Sequence, residues 1–278
     1  MKRPQWATII IAICLVAALY VFGRIIPPKK TATARPDISS ETSISIDSIL
    51  AQAKQLLTPD RATWVNSLEH SVKRGDVKDQ QVNVYNELAH FWRDSVSIPI
   101  LSLWYEAEAA RLVNSEKSLT FAAHLFLDSL LEQNVPQIKQ WQAFQAKDLF
   151  ERSLKLNPIN DSSKIGLGAV YIYGGITMPM QGITMVREVA DRDSTNVYAQ
   201  MTLGIASLMT DQKDKAIDRF KKVASLQPEN IEAVFRVASL YEQLGNKSEA
   251  IRWYTKLLPL LREAEAKNIE ARIAELKK

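Results

Sequence analysis

The sequence predicts an all-α protein: a solenoid of antiparallel helix pairs, preceded by one N-terminal transmembrane helix. Glycine and proline are scarce, at 9 and 11 of 278 residues, which favours long helices. Apolar residues recur at helical spacing from residue 46 to the C-terminus. Residues 197–264 also contain two similar segments offset by 34 residues, and a fixed period of this size is typical of helical repeat arrays.

Residues 6–26 are the predicted transmembrane anchor, after a short basic tail at residues 1–5. The run from Trp6 to Phe22 has 17 residues and no charge. A helical rise of about 1.5 Å per residue gives this run a length of about 26 Å, close to the hydrocarbon thickness of a bilayer. The long side chain of Arg24 can extend the span towards the membrane surface.

A cleaved signal peptide is the alternative interpretation of this segment. A cleavable core is usually shorter and ends at a pair of small residues, and Val21 with Gly23 makes a poor pair. Cys14 could suggest a lipoprotein, but the bulky Ile13 precedes it. As the single cysteine, Cys14 forms no intrachain disulfide. The length and the missing cleavage site favour an uncleaved anchor.

The charges around the anchor leave its orientation open. Lys2 and Arg3 favour a cytoplasmic N-terminus, whereas the basic residues after the anchor favour a cytoplasmic body (Arg24, Lys29, Lys30 and Arg35). The short basic tail tips the prediction towards a bacterial inner-membrane protein with a periplasmic body. Residues 27–45 lack apolar periodicity and are predicted to be a flexible linker.

The net charge of +4 originates in the N-terminal segment. Six of the 35 basic residues and none of the 31 acidic ones lie within residues 1–36. The remaining 242 residues therefore hold 29 basic and 31 acidic side chains, a balance of about −2. A body without a basic excess does not favour nucleic acid as a partner.

Residues 46–135 are predicted to form divergent helical hairpins. The helical pattern breaks at Thr58-Pro59, at Arg74-Gly75-Asp76 and at Asn114-Ser115, and a helix starts at Pro136. Three later second helices are marked by an alanine followed four residues on by an aromatic residue (Ala146 and Phe150, Ala216 and Phe220, Ala250 and Tyr254).

The clearest repeats are residues 197–230 and 231–264. In the first, Leu203-Gly204 lies in one helical run, Ala216 and Phe220 lie in the next, and Pro228 closes the unit. This pattern resembles the tetratricopeptide repeat (TPR) family. The resemblance implies that small residues, here Gly204 with Ala216 and Ala238 with Ala250, allow two helices to approach closely.

The TPR-like region is predicted to span residues 136–264. Residues 161–194 are a degenerate copy, with Gly182 at the small position and a connecting loop about two residues longer than the pattern. The helix that follows can be capped by Asp193, Ser194 or Asn196. Residues 259–278, starting at Leu258-Pro259, are predicted to be a C-terminal capping helix that is apolar on one face and charged on the other.

The resemblance implies a protein or peptide partner held on the concave surface of the first helices. The corresponding positions define the candidate protein-binding residues: Tyr198, Met201, Thr202, Ile205, Leu208 and Met209 in one repeat, and Glu232, Phe235, Arg236, Ser239, Glu242 and Gln243 in the next. The first set is unusually apolar, which favours packing against neighbouring helices or the end helix, with a partner surface as the alternative. TPR domains that hold a terminal carboxylate use a Lys, Asn and Arg clamp. Here Thr202 and Arg236 occupy two of those positions, so that activity is not expected.

No enzymatic activity, cofactor or metal is predicted. His70, His90 and His124 lie on separate predicted helices, and no phosphate-binding loop or nucleophile motif is present. The chain resembles membrane-anchored bacterial TPR proteins, which implies an interaction scaffold or chaperone-like adaptor. The alternative is an accessory subunit of a membrane enzyme or of an envelope assembly or cytochrome maturation pathway.

Overall fold

The computed structural model describes residues 44–74 and 77–278. Within these residues the regular structure is helical, which confirms the predicted all-α class. The thirteen α-helices of the described part are α1 Ile46–Gln55, α2 Pro59–Arg74, α3 Lys78–His90, α4 Pro99–Val113, α5 Glu116–Glu132, α6 Pro136–Leu156, α7 Asp161–Tyr173, α8 Pro179–Arg192, α9 Val197–Met209, α10 Lys213–Leu226, α11 Ile231–Gln243, α12 Lys247–Leu257 and α13 Glu263–Leu276. Helix α3 continues as a π-helical turn at Phe91–Ser95.

The predicted basic tail, the anchor at residues 6–26 and the linker up to residue 43 lie outside the described residues. Among the helices that the structure does describe, none is both long enough and apolar enough to cross a membrane. The first of them, α1, begins directly after the predicted linker. Ser45 caps it by accepting a hydrogen bond from the Ser48 N–H at 3.4 Å.

Consecutive helices pack as hairpins: α3 with α4, α5 with α6, α7 with α8, α9 with α10, and α11 with α12. We call the two members of each pair the first and the second helix. Each second helix also packs on the first helix of the following pair, and α13 packs on α12. Because each pair contacts mainly its neighbours, the fold is a helical solenoid.

Asparagine fixes the start of three first helices. The side-chain oxygens of Asn160, Asn196 and Asn230 accept hydrogen bonds from the backbone N–H three residues later, at 2.8, 3.0 and 3.0 Å. Each bond satisfies an N–H group that the first turn of a helix leaves without an intrahelical partner. Of the three candidate caps for α9, the structure therefore selects Asn196.

Small residues set the spacing within the pairs, as predicted. A Cβ atom added to Gly204 would lie 2.6 Å from Cε1 of Phe220, well inside van der Waals contact. Ala216 and Ala250 are fully buried. In the degenerate copy, a Cβ atom on Gly168 would lie 2.9 Å from the carbonyl oxygen of Gly182, so α7 and α8 cross at the backbone.

The connection between α7 and α8 has the predicted extra length. It spans residues 174–178, whereas three residues join α9 to α10 and three join α11 to α12.

The C-terminal helix begins later than predicted. A 3₁₀ turn occupies Leu258–Leu260, and α13 starts at Glu263. Leu261 and Arg262 are extended, with ψ near 157° at both residues, which interrupts the helix predicted from Leu258. The Glu265 carboxylate then accepts a hydrogen bond from the Arg262 N–H at 3.3 Å and fixes the new start.

Candidate functional site: the inner surface of the repeats

The stack of pairs curves towards its first helices. The ring of His124 on α5 lies 5.7 Å from the ring of Tyr198 on α9, measured between centroids, although the pair α7–α8 lies between them in sequence. The hydroxyl of Tyr173 on α7 donates a hydrogen bond to the carbonyl oxygen of Thr202 on α9 at 3.2 Å. We call this concave side, formed by α5, α7, α9 and α11, the inner surface.

Most of the candidate residues on α9 are packing residues. Thr202 is only 4% exposed, and its hydroxyl donates to the carbonyl oxygen of Tyr198 at 2.8 Å. Met201, Ile205 and Leu208 pack against the core of the two C-terminal pairs. Of the two interpretations of these residues, the contacts favour packing for Met201, Thr202, Ile205 and Leu208.

Tyr198 is enclosed by the inner surface. Its hydroxyl is buried and has no hydrogen-bond partner among the described residues. Burial raises the pKa of Tyr198, and it also raises the pKa of Tyr173 beside it. Met209, at the end of α9, is the exception among the candidates of this helix, because it is 57% exposed.

His124 packs beside Tyr198 on the inner surface. From the sequence, His124 was considered only as a metal ligand, and this contact was not predicted. Its ring packs edge-on against Phe150 with 5.0 Å between centroids, and its Nε2 lies 2.9 Å from Oγ of Ser162. Burial lowers the pKa of His124, although the nearby Asp128 carboxylate acts in the opposite direction. The aromatic spacing to Tyr198, 74 residues away, carries no local sequence signal.

The candidate residues on α11 include an open row. Phe235 is 44% exposed, and its ring centroid lies 6.3 Å from that of Tyr254. Ser239 and Gln243 follow at intervals of four residues and therefore share its helix face. The Gln243 amide donates to the Ser239 hydroxyl at 3.4 Å. This row offers an aromatic side chain flanked by hydrogen-bonding groups.

Two other α11 candidates are held within the protein. Arg236 pairs with Glu232 at 2.7 Å, and its guanidinium lies 5.5 Å from the ring centroid of Phe220. Glu242 accepts a hydrogen bond from the Tyr254 hydroxyl at 2.9 Å and pairs with Arg272 of α13. The ion pair between Glu242 and Arg272 fastens the last pair to α13.

The ionisation states of Glu242 and Tyr254 follow from their contacts. Burial opposes ionisation of Glu242, but the hydrogen bonds from Arg272 and Tyr254 outweigh it and lower the pKa of the carboxyl. Burial, reinforced by Glu242, raises the pKa of Tyr254 to about 12. Glu242 and Tyr254 therefore remain a carboxylate and a neutral phenol at neutral pH.

His70, His90 and His124 lie on α2, α3 and α5, on separate helices as predicted. In the part of the chain that the structure describes, no three His, Cys, Asp or Glu side chains are grouped so that they could hold a metal ion.

Comparison with known proteins supports the repeat pattern. Residues 214–273 match the family model described as Tetratricopeptide repeat. The chain is 34% identical over 82 residues to superkiller complex protein 3 of Mus musculus, which is 28% of this chain and 5% of that protein. This chain therefore matches a small part of that relative.

Similar solved structures include MamA, residues 41 to the end, from Desulfovibrio magneticus RS-1. It is 22% identical with a TM-score of 0.46, over 67% of this chain and 96% of that one. Another is YrrB, whose structure is described as a TPR protein with an unusual peptide-binding site. It is 16% identical with a TM-score of 0.43, over 73% of this chain and 96% of that one.

The stacked helix pairs define a helical-repeat protein. The family match identifies the repeats within residues 214–273 as tetratricopeptide repeats.

Proposed function

We propose that this chain is a protein-interaction scaffold that holds a peptide or helix of a partner on the α11 part of its inner surface. The observation that carries the proposal is the open row of Phe235, Ser239 and Gln243. On α9, by contrast, most candidate residues other than Met209 pack against the chain's own side chains. An exposed aromatic ring supplies apolar contact area at low entropic cost, and the flanking polar groups can bond a peptide backbone.

The test compares two exposed phenylalanines. Phe235 lies on the inner surface, whereas Phe144 lies on the second helix α6 and is 50% exposed. A photo-crosslinking amino acid replaces Ser239 in the full chain, and crosslinked partners are identified in the native membrane. We expect Phe235→Ala to reduce the yield at least about fivefold, and Phe144→Ala to leave it unchanged. Equal yields from both variants would refute the proposal.

We further propose that residues 6–26 attach the scaffold to a membrane, because this run is apolar and long enough to cross a bilayer. Extraction at alkaline pH should leave the full chain in the membrane pellet and release a chain that lacks residues 1–36. Release of both chains would contradict an anchor. Protease accessibility of the body in sealed spheroplasts then decides between a periplasmic and a cytoplasmic body.

The alternative role, an accessory subunit whose anchor contacts partner helices, makes an opposite prediction about the isolated body. Under the scaffold proposal, residues 46–278 retain the crosslinked partner, since the binding energy lies in the repeats. Loss of the partner from this fragment, with an unchanged circular dichroism spectrum, would favour the accessory-subunit role.

A further inference from the structure

A second concave surface lies on the opposite side of α9 from the inner surface. It is a groove of about 520 Å³ between the second helices α8 and α10, with α9 at its base. On α9 the groove is lined by Gln200, Leu203 and Ser207. Gln200 follows Tyr198 by two residues, which corresponds to about 200° around an α-helix. This outer groove is therefore independent of the inner surface and of the proposed function.

Basic side chains dominate the charged lining of the outer groove. It contains the single carboxylate of Asp218 and four basic groups, which are Arg187, Lys215, Arg219 and Lys222. In the described part of the chain, none of these four forms an ion pair with a carboxylate. By contrast, several arginines outside the groove form ion pairs, as Arg152 does with Asp148 at 2.9 Å. The groove thus concentrates free positive charge on a body whose overall balance is slightly negative.

A buried amide positions one of these basic groups. Gln200 is only 3% exposed, and its Oε1 accepts a hydrogen bond from Nη1 of Arg219 at 2.7 Å. Its Nε2 in turn donates to the carbonyl oxygen of Ser194 at 3.0 Å, which fixes the amide. A guanidinium has five N–H donors, so Arg219 is held in place while donors remain for a ligand.

The base of the outer groove is apolar. Leu203 and Ala206 are almost fully buried beneath it, Ile183 is half-buried, and Met180 is 60% exposed at its edge. Methionine adapts its shape to different apolar side chains. The groove therefore combines an apolar base with basic walls. This combination suits a peptide that carries both carboxylates and an apolar side chain.

We propose that the outer groove binds an acidic peptide segment of a partner protein. Its carboxylates pair with Arg187, Arg219 and Lys222, and one apolar side chain rests against Ile183 and Met180. A recess between two helices admits a single polypeptide strand or helix. A bilayer surface, by contrast, favours basic side chains on an exposed face, and nucleic acid favours a basic body.

The test starts with the full chain in detergent and a phage-displayed library of random 12-residue peptides. We expect selection to enrich peptides with at least two acidic residues and one large apolar residue. The best peptide is then made with a fluorescein label, together with a version in which glutamine replaces each glutamate and asparagine each aspartate. Fluorescence anisotropy should show at least about tenfold weaker binding of the neutral version. Enrichment of peptides without acidic residues, or equal binding of both versions, would overturn the proposal.

Matched charge reversals locate the site. Arg187→Glu, Arg219→Glu and Lys222→Glu in one chain should weaken binding of the acidic peptide at least about tenfold. The control chain carries the same change in net charge at three exposed positions outside the groove: Lys155→Glu, Lys247→Glu and Lys277→Glu. Its affinity for the acidic peptide should change by less than about twofold. Equal losses in the two triple variants would overturn the assignment to the groove.

Two further measurements distinguish the outer groove from the inner surface and from a lipid-binding face. Phe235→Ala should bind the acidic peptide as well as the unchanged chain does; a loss would assign the peptide to the inner surface and overturn the proposal. Vesicles of phosphatidylcholine with phosphatidylserine should not compete with the peptide. Competition that disappears in the groove variant would identify an anionic lipid surface as the ligand instead.

Discussion

Ala216 illustrates how one side chain sets the distance between two helices. It is fully buried in the cluster that contains Phe220, and Gly204 opposite carries no Cβ atom because the Phe220 ring occupies that space. Interiors this dense accommodate added volume only by displacing neighbours. At the residue scale the sequence predicted a close approach of the two helices at Gly204 and Ala216, but it did not predict that the Phe220 ring of the same pair fills the space beside Gly204.

Ala216→Leu is expected to lower the free energy of unfolding by about 1–3 kcal/mol through overpacking. Urea denaturation monitored by circular dichroism measures the change. Ala271→Leu on the exposed face of α13 is the control, and it should change stability by less than about 0.5 kcal/mol. Equal effects of the two substitutions would show that the helix pair does not close at Ala216.

His124 gives the inner surface a pH dependence. Its folded pKa is lowered by burial, so below about pH 6.5 the unfolded chain binds more protons at this position than the folded chain. The stability contribution of neutral His124 is thus complete above the unfolded pKa and is lost as pH falls towards the folded pKa.

We expect the unfolding free energy to fall from pH 7 to pH 5.5 less steeply in His124→Gln than in the unchanged chain. Asn268→Gln replaces an exposed residue that carries no titratable group, and as the control it should leave the slope as it is. Denaturant titrations at several pH values provide the slopes. An equal slope in His124→Gln and in the unchanged chain would contradict the burial argument.

At the scale of single elements, each first helix depends on its cap. The Asn230 side chain bonds the Ala233 N–H at 3.0 Å at the start of α11, directly after the turn that follows α10. Asn230→Ala should therefore cost about 0.5–2 kcal/mol, and Asn230→Ser should restore most of it. Thermal denaturation measures both. Asn268→Ala, on an exposed position inside α13, serves as control and should not be destabilising.

The turns within the last two pairs share a left-handed backbone conformation but have different residues at that position. Gly245 has φ of +74° in the last pair, and Asp211, 34 residues earlier, has φ of +54° in the pair before it. Aspartate tolerates this left-handed conformation better than most side chains do, because its carboxylate can bond locally. The shared backbone geometry thus extends the repeat beyond the residues whose identities match.

For the whole molecule, α13 closes the end of the array. Ile273 of α13 belongs to the cluster that contains Trp253 and Leu257 of α12, and Arg272 pairs with Glu242 of α11. Removing α13 would expose these apolar groups to water, since no further pair covers them within the described chain. In an array of this kind, the helix pair next to the removed helix loses stability first.

A chain ending at Leu261 should therefore lose hydrogen-exchange protection in α11 and α12, while α5 and α6 keep theirs. Mass spectrometry of exchanged peptides gives the protection of each helix. A chain that lacks only Lys277 and Lys278 is the control and should exchange as the full chain does. Uniform loss of protection along the repeats would show a single cooperative unit and contradict a local effect.

The helices, their pairing and the repeat pattern follow from the sequence, because they depend on apolar periodicity, small residues and caps within a few tens of residues. It placed the longer connection between α7 and α8, but it missed the break at Leu261 and Arg262, where apolar spacing continues although the backbone does not. The helices and the connection lengths could be predicted because they depend on residues that are close together in the sequence.

Which candidate residues are exposed depends on contacts between helices that are far apart in the sequence. Tyr198 and Thr202 looked like surface residues of one repeat, but the curvature of the stack places His124 and Tyr173 against them. Phe235, at the matching position of Met201 in the next repeat, stays open. Curvature is the sum of small rotations between pairs, and no single repeat encodes it, so the division between filled and open surface emerges only in the assembled array.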